Sequence, residues 1–189
     1  MKSYKSCSFF GHRKIKLTEE LKYKLKEVIE DLIVNQNVLT FLFGSRSEFN
    51  TLCHLVVTEL KEKYPNIKRI AYTCRSETCV LESEREKWQE LYSLIKRKEE
   101  QLLVYEEEFE HKTKYTSGRA SYVERNYAMI ETSDYCIFYY DENYQPEMRK
   151  YSRHSIGFYQ PKSGTALAYI YAKQKKKIIY NLKTPINEK

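Results

Sequence analysis

Three short glycine turns carry residue types suited to holding a phosphate group: Phe10-Gly11-His12-Arg13, Phe43-Gly44-Ser45-Arg46 and Lys162-Ser163-Gly164-Thr165. The chain has only five glycines in 189 residues, so three of them where strands should give way to helices is a pattern of placement. Glycine adopts backbone angles closed to other residues and lets a ligand approach the main chain. A helix that starts after such a turn presents unpaired N–H groups and the positive end of its dipole, and phosphate is the usual occupant of that position. Arginine forks and Ser or Thr hydroxyls around the turns add donors for phosphate oxygens. None of the turns spells GxGxxG or GxxxxGK[ST], which speaks against common NAD enzymes and P-loop NTPases.

These turns need elements to hold them. Ser6–Phe10 reads as a first strand, followed by a helix that Thr18 caps and whose buried face is Leu17, Leu21, Leu25, Val28 and Leu32. Leu39–Phe43 is apolar throughout, as a strand covered on both faces would be. A helix from about Glu48 to Tyr64 follows, then a strand over Ile67–Tyr72. Strand and helix in alternation imply a parallel α/β sheet. Residues 82–110 fit either one long helix or a helix stopping near Lys98 and a short strand over Gln101–Tyr105; the second is preferred, because Lys98 would occupy a core position of a heptad. A helix over about Ser121–Thr132 leads to the strongest strand signal, Asp134–Tyr140. Asp141–Gln160 is a polar, Tyr- and Arg-rich loop long enough to act as a lid. Ser163 caps a last helix ending near Lys173, and Lys177–Asn181 closes the sheet. The expected fold is α/β, a Rossmann-like, mostly parallel sheet with helices on both faces, as one domain over residues 1–189.

Composition narrows the classes. Hydrophobic residues make up 41% and aromatics 14%, as in a folded protein. No apolar run reaches membrane-spanning length, and Met1-Lys2-Ser3-Tyr4-Lys5 does not begin a signal peptide, so a cytoplasmic location without membrane association is expected. The net charge of +7 permits nucleic-acid binding without requiring it. The run Lys173-Gln174-Lys175-Lys176-Lys177 reads first as a solvated helix end. The five cysteines are scattered, as buried reduced thiols would be. Cys74 and Cys79 have no second Cys or His pair at matching spacing, so no metal is expected.

The block Cys7-Ser8-Phe9-Phe10-Gly11-His12-Arg13, then Glu124-Arg125-Asn126-Tyr127-Ala128-Met129-Ile130 before Ser133-Asp134, then Ser163-Gly164-Thr165, resembles the YpsA-like branch of the SLOG (SMF/DprA–LOG) superfamily. The resemblance runs in order through nearly the whole chain. It implies a Rossmann-like fold that binds nucleotides or nucleotide-derived ligands such as NAD- or ADP-ribose-type molecules. The related LOG enzymes hydrolyse the N-glycosidic bond of nucleoside monophosphates with a PGGxGTxxE motif and an upstream Arg. Arg125 matches that Arg, but Pro161, Lys162 and Ser163 precede Gly164-Thr165 and Ala168 stands at the glutamate's position. Without that carboxylate an oxocarbenium-like transition state lacks its stabiliser and water its base. Asp141 and Glu142 are nearby acids that nothing in the sequence places.

The leading expectation is a binding or sensing module for a phosphate-bearing small molecule derived from a nucleotide, NAD or ADP-ribose, requiring no cofactor. Its contacts would be Gly11, His12, Arg13, Gly44, Ser45, Arg46, Ser163, Gly164 and Thr165, with Arg125 and Asn126 on the ribose or a phosphate and no catalytic residue assigned. A non-LOG nucleotide hydrolase is a second reading. A single-stranded DNA-binding module, fed by eighteen tyrosines and the basic run, is a third. Self-association stays open.

Overall fold

The computed structural model describes residues 4–44, 46–75, 77–94, 102–114 and 118–183. Its centre is a six-stranded sheet in the order β10-β7-β1-β2-β3-β6, with every neighbouring pair parallel. The elements are β1 (Lys5–Gly11), α1 (Glu19–Gln36), β2 (Val38–Phe43), α2 (Glu48–Lys63), β3 (Lys68–Thr73), β4 (Val80–Leu81), α3 (Arg85–Leu94), β5 (Val104–Tyr105), β6 (Glu107–Glu110), α4 (Gly118–Thr132), β7 (Tyr135–Tyr139), β8 (Arg149–Lys150), β9 (Phe158–Tyr159), α5 (Gly164–Gln174) and β10 (Ile178–Asn181). This is the Rossmann-like α/β fold expected from the alternation of strands and helices.

Helices cover both faces because successive strand residues point to opposite sides. Phe9, Phe41 and Phe43 join Leu25, Ile29 and Leu32 of α1 and Phe49, Val56 and Val57 of α2 in one core. Their strand neighbours Phe10, Leu42 and Phe138 face the other way, onto Met129 and Ile130 of α4 and Ala168 and Ala172 of α5. The two caps read from sequence, Thr18 and Ser163, are in place; Ser47, not read as a cap, caps α2 as well, and Leu17, expected on the buried face of α1, is exposed because it precedes the helix. Thr18 Oγ1 accepts from the Leu21 N–H at 3.1 Å, Ser47 Oγ from Asn50 at 3.2 Å and Ser163 Oγ from Ala166 at 3.0 Å.

The chain runs outward through β1, β2, β3 and β6, then returns past β1 to lay down β7 and β10. The order reverses between β1 and β7. Beyond the carboxyl ends of those two strands the crossovers diverge and leave a crevice, the usual ligand position in open α/β sheets.

Two regions depart from expectation. The segment after β3 forms β4, a 3-10 turn at Glu82–Glu84 and α3; the expected helix end near Lys98 and strand start at Gln101 lie outside the described residues. Among the described residues of the expected strand, Val104–Tyr105 form a strand, which pairs with β4 in a separate two-stranded sheet. The next four residues, Glu107-Glu108-Phe109-Glu110, then join the main sheet beside β3. Three glutamates hide a strand from any apolar count. They suit an exposed edge, where Lys68 pairs with Glu107 at 2.6 Å and Thr73 donates to Glu108 at 2.7 Å. The expected lid also contains a short hairpin, β8 with β9.

Candidate functional site

The switch point opens into a cavity of about 670 Å³. Of the eleven residues singled out in the sequence, nine line it: Gly11, His12 and Arg13 after β1, Arg46 before α2, Arg125 and Asn126 on α4, and Ser163, Gly164 and Thr165 at the start of α5. Gly44 lines an adjoining cavity, and Ser45 lies outside the described residues. The turn after β3 contributes Glu77, and Arg75, attractive by its charge, does not line this cavity.

The glycines hold their positions for reasons other than unusual torsion angles, since none described has positive φ. At Gly11 a Cβ would collide with the Phe49 side chain, and at Gly44 it would collide with Met129 Sδ and come within 2.9 Å of Arg125 Nε. Both glycines let a helix pack hard against a strand end. At Gly164 a Cβ would meet nothing within 4 Å. The first turn is not followed directly by a helix, since α1 starts at Glu19, just after the Thr18 cap read from sequence. Residues 12–18 run along the rim instead, pinned where the Glu48 N–H donates to the Arg13 carbonyl at 3.0 Å and the Ile15 N–H to Glu48 Oε2 at 2.8 Å.

His12 is 4% exposed and clips the two switch-point strands together. Its Nε2 accepts from the Asp141 N–H at 3.0 Å, which puts the ring proton on Nδ1, a buried donor without a partner among the described residues. The Tyr144 ring lies against it with centroids 4.1 Å apart. Burial pushes the imidazole pKa below its ordinary value, against the opposing pull of Asp141, so the ring is neutral near pH 7. Asp141 itself is held ionised by the Asn143 N–H and Lys183. It does not line the cavity and neither does Glu142.

Arg125 is 2% exposed. Its Nη1 donates to both oxygens of Glu77, at 2.9 and 2.8 Å, its Nη2 reaches Asn126 Oδ1 at 3.4 Å, and its guanidinium lies 5.2 Å from the Tyr122 ring centroid. Glu77 also accepts from the Cys74 N–H at 2.8 Å. The residue that matches the LOG arginine is thus engaged by a carboxylate on another loop, and Ala168, at the LOG glutamate's position, is fully buried in the second core. Burial raises the Cys74 thiol to about 11 and the Cys79 thiol to about 12, which keeps both protonated near neutrality.

The opposite wall is open. Ser163 satisfies the Ala166 and Leu167 N–H groups, while those of Gly164 and Thr165, the first two of α5, have no hydrogen bond among the described residues. Arg119 donates to the Lys162 carbonyl and steadies the approach to the helix. Among the described residues, six cationic side chains stand around the cavity against two carboxylates, and the Arg125–Glu77 pair cancels one of each. The surplus favours an anion. Sequence reasoning missed Arg119, Arg149, Glu147 and Glu77 here. Arg119 sits just ahead of where the helix was expected to start, Glu77 and Glu147 lie in loops, and Arg149 begins the two-residue strand β8, too short to leave a pattern.

A family model, YpsA, described as the YspA SLOG family, matches residues 2–175. The chain belongs to the YspA SLOG family. A search of the curated proteins found no match. Membership in this SLOG family suggests nucleotide-related binding or glycosidase-like activity without fixing either. Among the described residues no helix is long and apolar enough to cross a membrane.

Proposed function

We propose that this chain binds a phosphate-bearing ligand derived from a nucleotide, NAD or ADP-ribose, and does so at the β1–β7 switch point. The observation that carries the reading is the convergence on one cavity of the two unpaired N–H groups opening α5, the Arg13 turn and a cationic surplus. The helix start supplies fixed donors and a positive dipole end. Arg13 is exposed and has no side-chain partner among the described residues, so its guanidinium is available for a phosphate. The segment from Asp141 to Gln160, which contains β8 and β9, contributes Tyr144, Met148 and Arg149 to the cavity wall and would cover the ligand.

Turnover has weaker support. Glu77 spends its oxygens on Arg125 and the Cys74 N–H, and the LOG glutamate's position is buried alanine. The test is a thermal-shift panel of nucleotides, ADP-ribose and cyclic nucleotides on the full chain, with parallel detection of free base. Stabilisation without base release is expected. Arg13→Ala should weaken binding about tenfold or more, as loss of a charge-assisted hydrogen bond does. No stabilisation by any member of the panel contradicts the reading.

A further inference from the structure

A second cavity, of about 610 Å³, lies beyond the ends of β2 and β3 and adjoins the first: Arg46 and Glu77 line both. Arg46 Nη2 donates to the Thr78 carbonyl at 3.2 Å, so the side chain spans from the β2 loop to the β3 loop at the boundary. The two cavities differ in chemistry. The first is ringed by arginines. Into the second project Trp88 and Tyr92 of α3, Tyr105 of β5, and Phe43 and Tyr72 of the main sheet.

Helix α3 makes this cavity more than a gap in packing. Trp88 and Tyr92 stand one turn apart, with ring centroids 6.5 Å apart, and both are half-buried. No described side chain of α3 is fully buried. Its inward face is therefore an aromatic pair presented to the cavity, whereas a helix of the core would bury an apolar stripe. Flat aromatic faces with a few hydroxyl groups beside them, here those of Thr51 and Thr78, suit a planar heteroaromatic ring.

We propose that one ligand spans both cavities, its phosphate at the α5 start and its base ring in the Trp88 cavity, passing Arg46 on the way. The inference rests on the phosphate-site reading above and sharpens it: the ligand class is a nucleoside phosphate, and a sugar phosphate alone fills half the site. Trp88 is the only tryptophan in the chain, so its emission reports the second cavity alone.

The test titrates the full chain with the four nucleoside monophosphates, ADP-ribose and ribose 5-phosphate, following heat by calorimetry and Trp88 emission in parallel. At least one base-bearing ligand should quench Trp88 and bind about tenfold more tightly than ribose 5-phosphate, the margin that stacking on an aromatic side chain supplies. Tyr92→Ala should erase that margin while leaving ribose 5-phosphate affinity in place. Trp88→Phe should keep the margin and Trp88→Ala lose it. If nucleotides and ribose 5-phosphate bind alike with Trp88 silent, the ring subsite is wrong and the phosphate site stands. If none of the ligands binds, both fall.

Discussion

The two walls of the switch-point cavity are built on opposite terms. On the α2 and α4 side every feature is committed inward: Gly11 makes room for Phe49, Gly44 for Met129 and Arg125, and the buried Arg125 is neutralised by Glu77. On the α5 side Gly164 faces open space and two backbone donors have no partner among the described residues. Sequence presents the two walls as equivalent glycine turns. The contrast teaches that a glycine beside a cavity marks a site only when the space its missing Cβ leaves belongs to the ligand and not to a neighbouring helix.

Substitutions can break that contrast. The largest loss is expected from Glu77→Ala, which strands the Arg125 guanidinium at 2% exposure. Removing one partner of a buried pair costs about 3 kcal/mol or more, readable in urea denaturation at pH 7. A loss below ~1 kcal/mol would show that this wall is not locked.

Acid should attack the neighbouring packed region by a similar amount. His54 Nε2 bonds the Val104 carbonyl at 2.8 Å and so holds the strand that carries Tyr105. Burial lowers its pKa to about 4. Because the folded value lies below the unfolded one, the unfolded chain takes up the proton first. The stability contribution is complete above pH ~6.5 and falls as pH drops toward 4, by roughly 3 kcal/mol in all. His12, shifted the same way, adds to the loss. His54→Gln should flatten this slope between pH 7 and 4; an unchanged slope would contradict the assignment.

Gly11→Ala comes next. Its Cβ must displace Phe49 Cβ, close to the α2 backbone, so an overpacking cost of about 1–3 kcal/mol is expected as a lowered melting temperature. If the variant melts with wild type, Gly11 serves something other than helix packing.

Much of the frame was legible because burial writes itself in apolar runs: Leu39–Phe43 and Tyr135–Tyr139 are covered on both faces and contain little else. The edge strand β6 was invisible for the converse reason. It is held by backbone pairing and by glutamates answering Lys68, Arg69 and Thr73, none of which has a periodic signature. In the site, motif resemblance drew attention to Arg125 but not to Glu77, which lies 48 positions away and meets it only through the fold. The aromatic cavity escaped notice because Trp88 and Tyr105 fitted the face of a long helix, and only the fold brings them together with Tyr92 around one space.

Gly164→Asp tests the anion site most directly. A carboxylate there meets no protein atom within 4 Å at its Cβ, it stands at the first turn of α5, where negative charge and loss of a glycine each favour the folded state by about 0.5 kcal/mol, and it projects toward the proposed phosphate. Calorimetry of wild type and variant with ADP-ribose and the nucleoside monophosphates, alongside melting without ligand, should show equal or higher melting temperature and no measurable binding by the variant. A variant that melts normally and still binds with wild-type affinity would place the phosphate elsewhere.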